Sequence, residues 1–172
     1  ELTCTLASSY AVPSGELVEP ELLRIPGAEG DIPCFVYRPK SARAPYPAIL
    51  YPHGGPEGQS RPAFSPQGMH LAALIDRGMA LVVPNIHGST GYGRSWQAAI
   101  HRDWGGIDLR DLRAVTAWMQ QESSFDQTRL AVYGGSYGGF ATLLCVTQLP
   151  DVWRCAVDVF GGRRASPRAR VT

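Results

Sequence analysis

Residues 130–139 read Leu-Ala-Val-Tyr-Gly-Gly-Ser-Tyr-Gly-Gly, and residues 140–146 continue Phe-Ala-Thr-Leu-Leu-Cys-Val. Four apolar residues of strand character run into a glycine-flanked serine, Ser136, and a segment of good helical character follows it. A strand that turns sharply into a helix with serine at the apex is the arrangement called a nucleophile elbow. The stretch therefore predicts such a turn, around which the rest of the chain can be placed.

The spacing Gly134-x-Ser136-x-Gly138 has a physical reason. A serine on so tight a turn requires neighbours without a Cβ, because the helix packs back onto the strand. The turn lifts the hydroxyl out of the sheet and sets the backbone N–H of Tyr137 beside it, at the helix N-terminus, where negative charge is stabilised. A glycine-rich turn that only binds phosphate is the alternative, but a dinucleotide fingerprint would need glycine at position 136, and a P-loop would need Gly-Lys-Ser/Thr.

A second glycine-rich turn, His53-Gly54-Gly55-Pro56, follows the predicted strand at residues 47–51. In hydrolases with this elbow, an H-G-G-type turn supplies the second N–H of the oxyanion hole. Glycine is needed in such a turn because the backbone itself must approach the substrate carbonyl oxygen. An ordinary strand-to-helix turn would fit the same four residues.

Strand-like and helix-like segments alternate along the chain. Apolar runs at residues 32–37, 47–51, 80–84, 130–133 and 154–160 predict strands, whereas helices are predicted to begin at Ser65-Pro66, at Asp108 and after Ser136. This alternation predicts a mostly parallel sheet with helices on both faces. The loop at residues 85–93 is a candidate wall of the site, although its composition is more typical of a structural turn. Asp108 and Asp111 lie in the first turn of a predicted helix, where we expect their carboxylates to cap the helix and to interact favourably with its dipole.

The composition excludes several classes of function. A net charge of +1 gives no case for a nucleic-acid or membrane-surface partner, and no apolar stretch approaches membrane-spanning length. The four cysteines have neither CxxC spacing nor a metal-site pattern, so we expect no metal and no cofactor, with Cys145 and Cys155 buried as small apolar residues. Reduced thiols favour a cytoplasmic location, although a signal upstream of Glu1 would change that expectation.

Four motifs occur in order along the chain: His53-Gly54-Gly55-Pro56, Asn85-x-x-Gly88-Ser89-Thr90-Gly91-Tyr92-Gly93, Asp103-Trp104-Gly105-Gly106 and Gly134-x-Ser136-Tyr137-Gly138-Gly139. Together they resemble the catalytic domain of the prolyl oligopeptidase family of serine peptidases, especially its acylaminoacyl-peptidase and dipeptidyl-peptidase-like members. The resemblance implies an α/β-hydrolase fold, peptide substrates and a preceding β-propeller. It also implies that Ser136 is the nucleophile and that the N–H groups of Gly55 and Tyr137 form the oxyanion hole, with Gly54 as the near alternative to Gly55. His87 departs from the family, which commonly has arginine there.

The resemblance divides the chain into three parts. Residues 1–20 would be a lead-in from the propeller, residues 21–160 part of the α/β-hydrolase catalytic domain, and residues 161–172 an arginine-rich tail. The tail ceases to resemble the family, so we interpret it as non-native; a genuine basic tail that binds an acidic partner is the alternative. No prediction of oligomeric state follows from the sequence.

No histidine follows Ser136, whereas the triad order in this fold is serine, acid, histidine. We interpret the chain as truncated before the triad acid and histidine, and we expect it to have little turnover alone because serine needs a base. Two other functions stay open: an esterase or other acyl hydrolase of the same fold, and a non-catalytic binding module on a hydrolase scaffold.

Overall fold

The computed structural model describes residues 18–62 and 69–162, and only the backbone of Met69 and His70. Its strands and helices are β1 Glu21–Gly27, β2 Gly30–Tyr37, β3 Tyr46–Leu50, α1 Met69–Asp76, β4 Ala80–Pro84, α2 Arg94–Ala98, α3 Ile107–Gln121, β5 Phe125–Gly135, α4 Tyr137–Gln148 and β6 Cys155–Val159. The predicted helix start at Ser65-Pro66, residues 1–17 of the predicted lead-in and residues 163–172 of the tail lie outside the described residues.

The six strands form one sheet in the order β1-β2-β4-β3-β5-β6. Strands β4, β3, β5 and β6 run parallel, while β2 is antiparallel to both β1 and β4. The mostly parallel sheet expected for an α/β-hydrolase fold is therefore confirmed. Because β4, β3 and β5 are parallel neighbours, the loops that follow them meet at one edge of the sheet.

The apolar run at residues 32–37 predicts β2, but nothing in the sequence analysis predicts a strand at Glu21–Gly27, so the antiparallel β1–β2 pair is missed. Gly27 pairs with Gly30, so a two-residue turn joins the strands. Ile25 and Ile32 pair directly and are buried, whereas the other residues of β1 are exposed or half-buried. An edge strand with so few apolar positions gives only a weak signal in the sequence.

Side chains of alternate residues pack on opposite faces of the sheet. One core holds Ala48, Leu50 and Val82 with the buried faces of α3 and α4, and the other holds Ile49 and Leu81 with α1. All five residues of β4 are buried, which agrees with the uninterrupted apolar run from which this strand was predicted.

Strand β6 is the edge of the sheet, and most of its residues are exposed. Cys155 lies on this strand and is exposed, so its predicted burial is wrong, whereas Cys145 is buried in α4. The difference arises because Cys145 lies on the face of α4 that packs into the core, whereas Cys155 lies on the edge strand of the sheet. Burial raises the pKa of the Cys145 thiol to about 12, which makes that thiol inert.

No helix in the described part of the chain is long and apolar enough to cross a membrane. Within the same residues, no group of three or more histidine, cysteine or carboxylate side chains could hold a metal ion.

Candidate active site

Ser136 stands between the last residue of β5 and the first residue of α4. Its φ is 56° and its ψ is −121°, a left-handed conformation that residues other than glycine rarely adopt. The backbone N–H of Ser136 donates to the carbonyl oxygen of Val159 at 3.0 Å, and its own carbonyl oxygen accepts from Gly139 and Phe140. Strained conformations of this kind cluster at functional sites because the surrounding structure must hold them.

The two glycines of the Gly-x-Ser-x-Gly spacing, Gly134 and Gly138, have no room for a side chain. A Cβ at Gly134 would overlap the carbonyl oxygen of Gly138, and a Cβ at Gly138 would overlap the carbonyl oxygen of Pro52. The helix therefore packs back onto the strand as the Gly-x-Ser-x-Gly spacing predicted.

The loop after β3 lies directly against the turn. A Cβ at Gly54 would stand 3.3 Å from the carbonyl oxygen of Gly135 and 3.7 Å from the Cβ of Ser136. Gly55 has a φ of 135°, which favours glycine. Among the described residues, no hydrogen bond uses the N–H of Gly55 or of Tyr137 as donor. Within the described part of the chain, the Gly55 N–H in the loop after β3 and the Tyr137 N–H at the first position of α4 are thus both without a hydrogen-bond acceptor.

His53, which precedes Gly54 in this loop, is buried and forms hydrogen bonds at both ring nitrogens. Nδ1 lies 2.8 Å from the carbonyl oxygen of Gly54, and Nε2 lies 2.8 Å from the hydroxyl oxygen of Ser89 in the loop after β4. Burial lowers the pKa of the His53 imidazole, so the ring is neutral at pH 7.

Tyr137 is held by a carboxylate that the sequence analysis did not connect to the site. Its hydroxyl donates to Asp108 Oδ2, and Asp108 Oδ1 accepts from the N–H groups of Gly105 and Leu109 at 2.8 and 2.9 Å. Burial raises the pKa of the Asp108 carboxyl, although these hydrogen bonds oppose the shift. The ring of Trp104 contacts that of Tyr137 edge-on, with centroids 4.9 Å apart.

Asp111 also reaches across to another loop. Its Oδ2 accepts from the backbone N–H and the ring Nδ1 of His87, each at 2.7 Å, and the imidazole stacks on Trp96 with centroids 3.6 Å apart. Asp108 and Asp111 are both buried and bind residues of other segments, so the predicted interaction with the helix dipole describes only part of what they do. Neither aspartate belongs to the four sequence motifs, and their partners Tyr137 and His87 are 29 and 24 positions away in the sequence.

The loop at residues 85–93 is held by hydrogen bonds within itself and to neighbouring segments, which agrees with the interpretation as a structural turn. The amide of Asn85 pairs with the backbone N–H and carbonyl of Ser60 at 2.8 and 3.0 Å and donates to the hydroxyl of Tyr92 at 2.8 Å. Trp96 donates to the carbonyl oxygen of Ile86 at 3.0 Å. This loop therefore supports the chain segment that follows Gly58.

The imidazoles of the described residues have partners other than Ser136. His53 contacts Gly54 and Ser89, His87 contacts Asp111, and His101 contacts Glu57 at 3.0 Å. Of the two acids after the elbow, Asp158 accepts from the backbone N–H of Gly161 at 2.7 Å. The structure places Gly54 against Ser136, with Gly55 next to it in the chain and Tyr137 directly after the serine, and no described histidine has a hydrogen bond to the serine.

Replacing Tyr137 with phenylalanine is expected to cost about 1–3 kcal/mol of stability at pH 7, because Asp108 loses a hydrogen-bond donor while buried. The Tyr137 hydroxyl lowers the pKa of Asp108, so the variant carboxyl would have a still higher pKa. When folding raises the pKa of a carboxyl, that carboxyl stabilises the folded state fully at pH values below its pKa in the unfolded chain. This stabilisation is lost as the pH rises through the pKa of the carboxyl in the folded state. The deficit should therefore be smaller at pH 4 than at pH 7, which urea unfolding at the two pH values would measure. An equal deficit at both pH values would contradict the Asp108 contact.

Comparison with known proteins gives a consistent result. A sequence model of the prolyl oligopeptidase family matches residues 63–161. The chain is 37% identical over 120 residues to dipeptidyl aminopeptidase BIII of Pseudoxanthomonas mexicana, covering 70% of this chain and 17% of that protein. It is 29% identical over 140 residues to the human acylamino-acid-releasing enzyme, covering 80% of this chain and 19% of that enzyme.

Solved structures agree with the sequence comparison. A puromycin-hydrolyzing peptidase of Mycobacterium tuberculosis superposes with a TM-score of 0.72 at 29% identity, covering 87% of this chain and 24% of that one. The chain thus spans about a fifth of the length of the curated relatives it matches.

Proposed function

The chain belongs to the prolyl oligopeptidase family, and from this premise we propose that Ser136 is the nucleophile of a serine peptidase. The observation that carries the proposal is the left-handed Ser136 between β5 and α4, with the Gly54–Gly55 peptide packed against it. The proposal extends to the full-length protein that contains these residues, for which we propose peptides as substrates.

The reaction proceeds by acyl transfer. The Ser136 hydroxyl oxygen attacks the carbonyl carbon of the scissile bond while a base removes its proton, and the carbonyl oxygen becomes an oxyanion. The N–H groups of Gly55 and Tyr137 stabilise that charge, and the positive end of α4 adds to them. The protonated base then gives its proton to the leaving amine, and water hydrolyses the acyl-serine ester by the reverse sequence.

We propose that the base and its orienting acid lie outside these 172 residues. The three described imidazoles are engaged elsewhere, and no histidine follows Ser136 in the chain. The 172-residue chain by itself is then expected to turn over slowly or not at all. The division into residues 1–20, 21–160 and 161–172, and the cytoplasmic location, stay predictions.

A fluorophosphonate probe tests the proposal, because it phosphonylates an activated serine. In the full-length protein the probe should label Ser136, located by mass spectrometry of the modified peptide. The isolated 172-residue chain should react at least about 10³-fold more slowly, since removing a triad base costs at least that much. Equal labelling rates would show that a residue of this chain acts as the base.

Substrate class is tested on the full-length protein with matched peptide amides and esters. Hydrolysis of the amides supports a peptidase, whereas turnover of esters alone would support the acyl hydrolase. Absence of both, with no labelling of Ser136, would support the non-catalytic binding module.

A further inference from the structure

The Gly54–Gly55 peptide unit is held from one side by a buried imidazole. His53 Nδ1 lies 2.8 Å from the Gly54 carbonyl oxygen. A carbonyl oxygen only accepts hydrogen bonds, so Nδ1 carries the proton. The ring is neutral, so Nε2 has no proton and accepts from the Ser89 hydroxyl at 2.8 Å. The contacts thus determine one tautomer of His53.

The carbonyl held by His53 belongs to the same peptide unit as the N–H of Gly55. That unit is trans, since the cis bonds of the described residues both precede proline. In a planar trans peptide, the C=O and N–H bonds point in opposite directions. A hydrogen bond that holds the Gly54 carbonyl therefore also sets the direction of the Gly55 N–H.

We propose that His53 is a positioning residue that aims the Gly55 N–H at the oxyanion by anchoring the Gly54 carbonyl through Nδ1–H. The inference rests on the proposed function, since an oxyanion forms only if Ser136 attacks a carbonyl carbon. Glycine at position 55 makes such an anchor necessary, because it leaves the peptide unit free to rotate.

Neighbouring residues keep the imidazole in place. The Ser89 hydroxyl binds the far ring nitrogen, and the N–H of Ser89 donates to the carbonyl oxygen of Ile86 at 3.0 Å. Gly58 packs over the anchored pair: a Cβ there would stand 3.0 Å from the Gly54 oxygen and 3.7 Å from His53 Nδ1. The Gly58 carbonyl oxygen accepts from Thr90 at 2.7 Å. The loop after β4 thus holds both the His53 imidazole, through Ser89, and the Gly58 segment that packs on it, through Thr90.

Two isosteric variants separate positioning from packing in the full-length protein. In H53N the side-chain amide nitrogen occupies the place of Nδ1 and can donate to the Gly54 carbonyl, whereas the amide in H53Q corresponds to Nε2 and reaches towards Ser89. H53Q should lower kcat by about 10²-fold with KM within about twofold, comparable to losing one oxyanion-hole donor. H53N should retain kcat within about fivefold. Assays are run well below the unfolding temperature of each variant.

Crystal structures of both variants give a readout that does not depend on activity. The Gly54–Gly55 peptide should keep its orientation in H53N and rotate in H53Q. Equal losses of kcat in the two variants would reduce His53 to a packing role and overturn the inference, as would an unrotated peptide in H53Q. Full activity of Ser136→Ala would instead overturn the proposed function, while the crystal structures would still decide whether His53 sets the peptide.

Discussion

Replacing Ser136 with alanine in the full-length protein is expected to lower kcat for peptide hydrolysis by about 10⁴-fold or more. The variant keeps both N–H groups that we propose for the oxyanion hole but has no oxygen with which to form the acyl intermediate. The residual rate would come from the oxyanion hole and substrate binding alone. Steady-state kinetics with a chromogenic peptide amide would measure the loss.

The matched control is Ser123→Ala. Ser123 is an exposed serine in the segment between α3 and β5, next to the opposite end of β5 from the elbow. It should retain the full kcat, and both variants should unfold near the wild-type temperature. A Ser136→Ala variant that kept even a tenth of the activity would place the nucleophile elsewhere.

Replacing Gly138 with alanine is expected to destabilise the protein by about 3 kcal/mol or more, since large effects of single substitutions arise from steric overlap of this kind. The new Cβ would overlap the carbonyl oxygen of Pro52, which is backbone and cannot turn aside as a side chain could. Relief requires α4 to move away from the loop after β3, which separates Tyr137 from Gly55. Stability and labelling of Ser136 should therefore fall together.

Gly135→Ala is the control for this substitution. A Cβ at Gly135 would meet Val159 at 3.7 and 3.8 Å, which is ordinary van der Waals contact. We expect its stability to stay within about 1 kcal/mol of the wild type. Urea unfolding of the two variants measures the contrast, and equal stabilities would show that the close approach of α4 to Pro52 is not required.

The elbow could be predicted because its determinants are local. An apolar run before Ser136, glycines on both sides and a helical segment after it all lie within about 17 residues. Conformational preference and steric exclusion act between such neighbours, so reading residue types in order is sufficient. The strand β4 could be predicted from its unbroken apolar run for the same reason.

Prediction was poorer where side chains find distant partners. Asp108 and Tyr137 are 29 positions apart, and His53 and Ser89 are 36 apart. Nothing in the vicinity of Asp108 shows that its carboxylate will be buried against a tyrosine, so the helix dipole was the natural interpretation. Cys155 was assigned to the interior from its apolar neighbours, but its strand is an edge strand.

By itself, the sequence determined the family, the strand–serine–helix turn and the glycines that turn requires, because each depends on residue type and spacing along the backbone. Only the tertiary structure decided what surrounds the turn. The order β4-β3-β5 places the His53 loop between the Ser89 loop and Ser136, and this neighbourhood sets the tautomer of His53 and the direction of the Gly55 N–H. Hydrogen bonds act over about 3 Å, so they are decided by which strands become neighbours and not by distance along the chain.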